Sequence, residues 1–197
     1  LGEMSLAVPG FHNVLNALAV VTVSMRLGVN FQMVAEILAT FGGARRRFQK
    51  IADVGGIVVV DDYAHHPTEV NATIRAAKES TGRRVVAVFQ PQRYVRTYNL
   101  MKEFSKAFSY ADVIILTDIY SPPGEEPIPG VSSEVLGGLI EQHEGRGVIL
   151  LHTKDEIVRY LLDHAVPGDL ILTMGAGDIW TVARDLGERL ATAGAAC

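Results

Sequence analysis

The sequence predicts an α/β fold on a doubly wound, mostly parallel sheet, preceded by two helices that have no strands of their own. Two observations predict it. Short runs rich in Val, Ile and Leu alternate five times with amphipathic segments, the pattern of strands joined by crossover helices. Those runs are continuously apolar rather than alternating, as strands buried on both faces are. The 197 residues, 48% hydrophobic and 20% charged, suffice for a substantial core.

Taken in order, residues 11–27 (FHNVLNALAVVTVSMRL) are apolar almost all round and stop at Gly28, which predicts a buried helix closed by a glycine. Asn30 is placed to cap a second helix, FQMVAEILATF. There Phe31, Val34, Ile37 or Leu38 and Phe41 recur at helical spacing before Gly42 and Gly43 end it. Residues 1–43 are therefore expected to be the tail of a preceding domain, and residues 44–197 a domain of their own. The chain opens on Leu1 rather than Met, in a segment with the look of a strand end, so a piece of a longer protein is expected.

Strands are expected at 57–61, 85–89, 112–118, 147–152 and 169–174, with a weaker one, FQKIADV, at 48–54. Helices are expected near 67–79, 97–109, 132–143, 154–164 and 178–192. Their starts are signalled by Pro67, by Thr97 and by Ser132 or Ser133 as caps, and by Thr153 with Glu156 as a capping box.

Eighteen Lys and Arg against 22 Asp and Glu give a net charge of -4, which points to neither a nucleic-acid nor an anionic-membrane surface. No apolar run is long enough to span a bilayer and the start lacks the pattern of a signal peptide, so a cytoplasmic location is expected. Cys197 is the only cysteine, which excludes a disulfide framework or a thiolate metal site within the chain.

In an open parallel sheet ligands bind beyond the carboxyl ends of the strands. The loops on that rim are DYAHHP (62–67), QPQRYVRT (90–97), IYSPPGEEPIPG (119–130) and GAGD (175–178), whereas the opposite-edge connections are plain turns. In the first loop, Asp61, Asp62, His65 and His66 offer metal-ligand chemistry. However, adjacent histidines diverge and no second cluster completes a shell, so no metal site is expected there. A solvated turn explains the aspartates and Pro67 but not Tyr63 together with two histidines. A third possibility is a substrate loop at a helix N-terminus, which attracts anions.

In the second loop, Arg93 and Arg96 flank Tyr94, and each guanidinium can clamp a carboxylate or phosphate through two N–H groups. Arg45, Arg46 and Arg47 form either a solvated charge run or a phosphate contact. GAGD is too short for a dinucleotide fingerprint, no P-loop is present, and no Ser or Cys sits on a nucleophile elbow. His12, Asn13 and Asn16 share one turn at a helix start. An Asn side chain matches the donor and acceptor edge of adenine, although capping is a rival role for His12 or Asn13.

PGFHNVLNALA, FGGARRRFQ, VDDYAHHPTEV, FQPQRYVRT and GAGDI, in that order, resemble the Mur ligase family along essentially the whole chain. The resemblance implies three domains: one for a UDP-sugar, a central ATPase, and a Rossmann-like third domain. This chain would correspond to the last helices of the second and all of the third. The P-loop and the Mg-binding residues would then lie upstream of Leu1. It further implies ATP-dependent amide formation through an acyl phosphate, with UDP-N-acetylmuramate and L-alanine as substrates, and no activity in this chain alone.

Carried over by motif, His12, Asn13, Asn16, Arg47 and Asp62 would bind ATP. Tyr63, Arg93 and Arg96 would bind the amino acid, and His65 and His66 would orient or deprotonate its amine. Gln92 stands where the family usually has His, so no proton transfer is expected from that position, and SPPGEEPIPG departs from the usual loop. The alternatives are a ligase that recycles a ready-made tripeptide onto the same UDP-sugar, and a non-catalytic nucleotide-binding module.

Overall fold

The computed structural model describes residues 1–194; Cys197 lies outside them. Helices α1 (Phe11–Arg26) and α2 (Phe31–Thr40) come first, then β1 (Gln49–Val54), β2 (Ile57–Asp62), α3 (Pro67–Thr81), β3 (Arg84–Phe89) and α4 (Tyr94–Phe104). They are followed by β4 (Val113–Leu116), α5 (Ser133–Glu144), β5 (Ile149–Leu150), α6 (Lys154–His164), β6 (Asp169–Met174) and α7 (Trp180–Gly194). The six strands form one sheet in the order β1-β2-β6-β3-β4-β5, in which only β1 is antiparallel to its neighbour.

Alternate residues of each strand supply two cores. Val60, Val85, Ala87, Phe89, Ile114 and Leu116 pack with α3, α5 and the end of α4 on one face. Val59, Val86, Val88, Ile115 and Ile171 pack with α6 and α7 on the other. Burial on both faces is what a parallel sheet covered by crossover helices requires, and it explains why the strand sequences do not alternate.

Several local signals act as expected. Asn30 accepts the Gln32 N–H at 2.7 Å, Ser132 caps α5, and Thr153 with Glu156 forms a complete capping box on α6. Four expectations need correction. Helix α1 is not buried: only Ala17 and Val21 are, while Phe11, Val14, Leu15, Leu18 and Val23 face outward, because nothing within residues 1–194 covers most of its apolar circumference. Residues 1–10 are irregular rather than a strand end.

Helix α4 begins at Tyr94, so Thr97 is not its cap. Thr97 is buried one turn in, donating both its N–H (3.0 Å) and its hydroxyl (2.9 Å) to the Arg93 carbonyl. β4 and β5 are also shorter than the apolar runs that contain them. On β5 pairing reaches only Ile149 and Leu150, as suits an edge strand.

Candidate active site

β2 and β3 lead into helices on one face of the sheet and β6 into a helix on the other. Because β6 lies between them, crevices open on both of its sides at the carboxyl edge.

The crevice between β2 and β6 is built on adjacent aspartates that point to different partners, as consecutive strand residues must. Asp61 is buried, accepts from Thr173 Oγ1 at 2.7 Å and pairs with Arg46 Nε at 2.9 Å. Burial raises its pKa, against the lowering effect of the Arg46 and Thr173 hydrogen bonds and the Arg46 charge. The rest of the Arg46 guanidinium donates to the carbonyls of Gly177 (3.1 Å) and Gly175 (2.6 Å). One cation thus ties the arginine loop, β2 and the last loop together.

Asp62 accepts backbone N–H groups from Phe48 and Ala64, each at 2.7 Å, and burial again raises its pKa in spite of them. Asp62 borders a cavity of about 540 Å³ formed between α1, α2 and the start of α3. His12, Asn13, Asn16 and Arg47 line the same cavity, so the five residues assigned to the nucleotide share one space. Asn13 Nδ2 donates to the Pro9 carbonyl at 2.6 Å, and Asn16 Nδ2 to Asn13 Oδ1 at 3.4 Å.

Tyr63, the next residue, is exposed on the rim. Its ring meets His65 edge-on at 5.2 Å, and Arg46 and Arg47 lie over it at 4.9 and 5.9 Å. His65 Nδ1 is 2.8 Å from the Tyr63 carbonyl. A carbonyl only accepts, so Nδ1 donates, and in the neutral ring Nε2 is left as the acceptor. His66 is instead the N-cap of α3, accepting from Thr68 N–H at 3.4 Å, while Glu69 closes the capping box by accepting the His66 and His65 N–H groups. Burial pushes the Glu69 carboxyl upward, but these N–H donors and the neighbouring charges of His65 and Arg47 win, and its pKa is lowered.

Arg93 and Arg96 do not line the cavity; they stand where β3 turns into α4. Arg93 has φ 68°, a left-handed conformation held by its N–H on the Tyr120 carbonyl at 2.9 Å. Such strain at a non-glycine residue persists only where its surroundings over-determine it. Glu125, from the long loop at 119–130, accepts the Val95 N–H at 3.2 Å and helps fix the same turn.

In the second crevice Gln90 bridges β3 to the last loop. Its Nε2 donates to Asp178 Oδ1 at 3.0 Å, its Oε1 accepts the Ile179 N–H at 3.2 Å, and Lys154 pairs with the other Asp178 oxygen. The glycines of GAGD serve this packing. A Cβ on Gly175 would lie 2.7 Å from the Gln90 carbonyl, and one on Gly177 would lie 2.6 Å from Tyr120 Cγ.

Arg46, Gln90, Lys154 and Glu125 escaped the sequence pattern. Three consecutive arginines look alike in a sequence, and only the left-handed φ of Arg46 (56°) turns its side chain onto Asp61 while Arg47 faces the cavity.

Residues 46–177 match the family described as Mur ligase, glutamate ligase domain. The chain belongs to the Mur ligase family. It is 57% identical over 190 residues to a protein of Symbiobacterium thermophilum named UDP-N-acetylmuramate–L-alanine ligase, covering 96% of this chain and 39% of that one. Among solved structures it resembles the UDP-N-acetylmuramate–alanine ligase of Thermotoga maritima (TM-score 0.82, 31% identity, 98% of this chain and 41% of that one). It also resembles a murein peptide ligase of Psychrobacter arcticus (TM-score 0.67, 27% identity, 95% and 38%). The chain thus spans about two fifths of the length of these Mur ligases.

Proposed function

We propose that the chain is part of an ATP-dependent ligase that joins L-alanine to UDP-N-acetylmuramate. In it, residues 1–43 complete the ATP-binding domain and residues 44–197 form the ligase domain. The observation that carries this reading is the high identity, along nearly the whole chain, to proteins bearing that ligase's name.

The arrangement of the site supports it. Amide formation from a carboxylate needs an activated acyl group, and a phosphoryl group from ATP supplies it as an acyl phosphate. Positioning and charge neutralisation dominate such chemistry. Asn13 and Asn16, with His12 beside them, hold the adenine edge; Asp62 accepts from the ribose hydroxyls; Arg47 meets the phosphates. Across the β2 strand end, Arg93 and Arg96 hold the alanine carboxylate, and Tyr63 and His65 orient its amine. His65 Nε2 is the free acceptor for the proton that the amine loses on attack.

The metal that accompanies ATP does not fit this chain's cavity. Each Asp62 oxygen already accepts one backbone N–H and its remaining lone pair is assigned to the ribose hydroxyls, while Glu69 is committed to its capping box, so the cavity offers no set of carboxylates free to share a cation. Among the described residues, Asp118, Glu134 and His152 form the one triad with metal-ligand spacing, and none of them borders the cavity. Mg ligands belong to other parts of the enzyme.

The test is ADP release by the complete protein with ATP and UDP-N-acetylmuramate, offered L-alanine and the ready-made tripeptide side by side. Alanine-dependent turnover is expected, with none from residues 1–197 alone. A preference for the tripeptide would assign the recycling reaction instead.

A further inference from the structure

Arg96 carries a second, unassigned relationship. Its Nη1 donates to Gln92 Oε1 at 3.1 Å, and among the described residues neither Arg93 nor Arg96 has a carboxylate within ion-pair distance. Gln92 is itself well anchored. Its backbone bridges to Tyr120, whose N–H donates to the Pro91 carbonyl at 2.8 Å and whose carbonyl accepts the Arg93 N–H. The half-buried glutamine therefore presents its amide oxygen from a fixed stretch of chain, one turn ahead of Arg96.

The partner's chemistry matters. A guanidinium has five N–H donors, and a single amide oxygen engages one of them while leaving the charge whole and most donors free. A carboxylate at the same place would orient the arginine equally well but would neutralise it and compete for its fork. An amide is thus the partner that orients an arginine meant to bind someone else's carboxylate.

We propose that Gln92 is a positioning residue that aims Arg96 at the carboxylate of the incoming amino acid while leaving its charge available. The proposal rests on the ligase reading above. It predicts that the identity of residue 92 acts on amino-acid affinity rather than on the nucleotide or the chemical step.

In the complete enzyme, Gln92→Met keeps the length of the side chain and removes the acceptor. It should raise the KM for L-alanine roughly threefold to tenfold, the net worth of a typical intramolecular hydrogen bond, with kcat and the KM for ATP unchanged. Gln92→Glu should raise it further, by more than tenfold, because an ion pair withholds Arg96 from the substrate. That excess should shrink as the pH is lowered toward the carboxyl pKa of about 4, a dependence that a merely structural role does not produce. Thermal unfolding of both variants separates misfolding from a binding defect.

An alanine KM within twofold of the parent in Gln92→Glu, or a fall in kcat at unchanged KM, overturns the proposal. If the parent shows no alanine-dependent turnover, the ligase reading itself fails and the proposal falls with it.

Discussion

Arg46 Nε and Asp61 Oδ2 lie 2.9 Å apart at the mouth of the β2–β6 crevice, with the Asp61 side chain only 2% exposed and that of Arg46 20%. The same guanidinium holds two carbonyls of the last loop, so it is the joint on which three segments meet.

Arg46→Ala should therefore destabilise the protein by about 3 kcal/mol, because it strands a buried carboxylate. Arg46→Lys should cost less, keeping the charge but losing the fork. Asp61 titrates above its unfolded value of 3.8, so the folded state holds the extra proton and stability falls as pH rises through that interval. Without Arg46 the Asp61 pKa climbs further and the interval widens upward. Urea unfolding from about pH 4 to about pH 8 should show a variant deficit that grows with pH.

The two histidines of DDYAHHP should separate by function. His65 holds the Tyr63 carbonyl through Nδ1 and the proposed ligase reaction would use its Nε2 as the base, whereas His66 caps α3. In the complete enzyme, His65→Gln should lower kcat by about 100-fold, the lower end of what a general base contributes. His66→Asn preserves a good cap, so stability should hold within about 0.5 kcal/mol and kcat should fall far less. Steady-state kinetics with L-alanine checks both, and equal losses would make His66 a participant in its own right.

Much of this was legible in the sequence because it rests on local rules. Pro67, Thr153 with Glu156, and the Val/Ile runs specify helix starts and buried strands with no knowledge of distant partners. His12, Asn13, Asn16, Arg47 and Asp62 were also readable as residue types, and they do share a cavity. What was not legible depends on contacts far apart in sequence. Arg46 acquires its role from Gly175 and Gly177, more than a hundred residues on, and Gln90 acquires its role from Asp178. The start of α4 was misplaced for a related reason. Arg93 enters the helix through a left-handed φ held by Tyr120, which no local propensity encodes. All-round apolarity likewise predicts burial for α1, but the surface that would bury it is not within residues 1–194.

Gly177→Ala tests whether GAGD is a packing element. The added methyl would press on Tyr120 and on the Gln90 amide oxygen that accepts the Ile179 N–H. The expected cost is about 1–3 kcal/mol, as for other overpacked sites, read as a lower midpoint in thermal unfolding. Gly138→Ala is the matched control. It lies in α5, where a Cβ meets nothing within 4 Å, and it should be neutral or stabilising by up to about 1 kcal/mol because alanine is the better helix former.

Lys154 and Asp178 give the last loop its pH dependence. Partial burial pushes the Asp178 carboxyl upward, but the Lys154 and Gln90 hydrogen bonds and the Lys154 charge outweigh it, and its pKa lies below 3.8. A depressed carboxyl stabilises the fold above its unfolded pKa and loses that contribution as pH falls through its folded one. Lys154→Met should therefore lower stability at neutral pH and converge with the parent in acid. Both side chains are about two fifths exposed, so solvent screening limits the neutral-pH deficit to under about 1 kcal/mol. Added salt should shrink it further. Asp178→Asn keeps an acceptor for Gln90 but loses the charge, so it should match Lys154→Met at neutral pH. Asp178→Ala also removes the acceptor for Gln90, and a loss no larger than that of Asp178→Asn would mean that the Gln90 bridge adds nothing to the loop's stability.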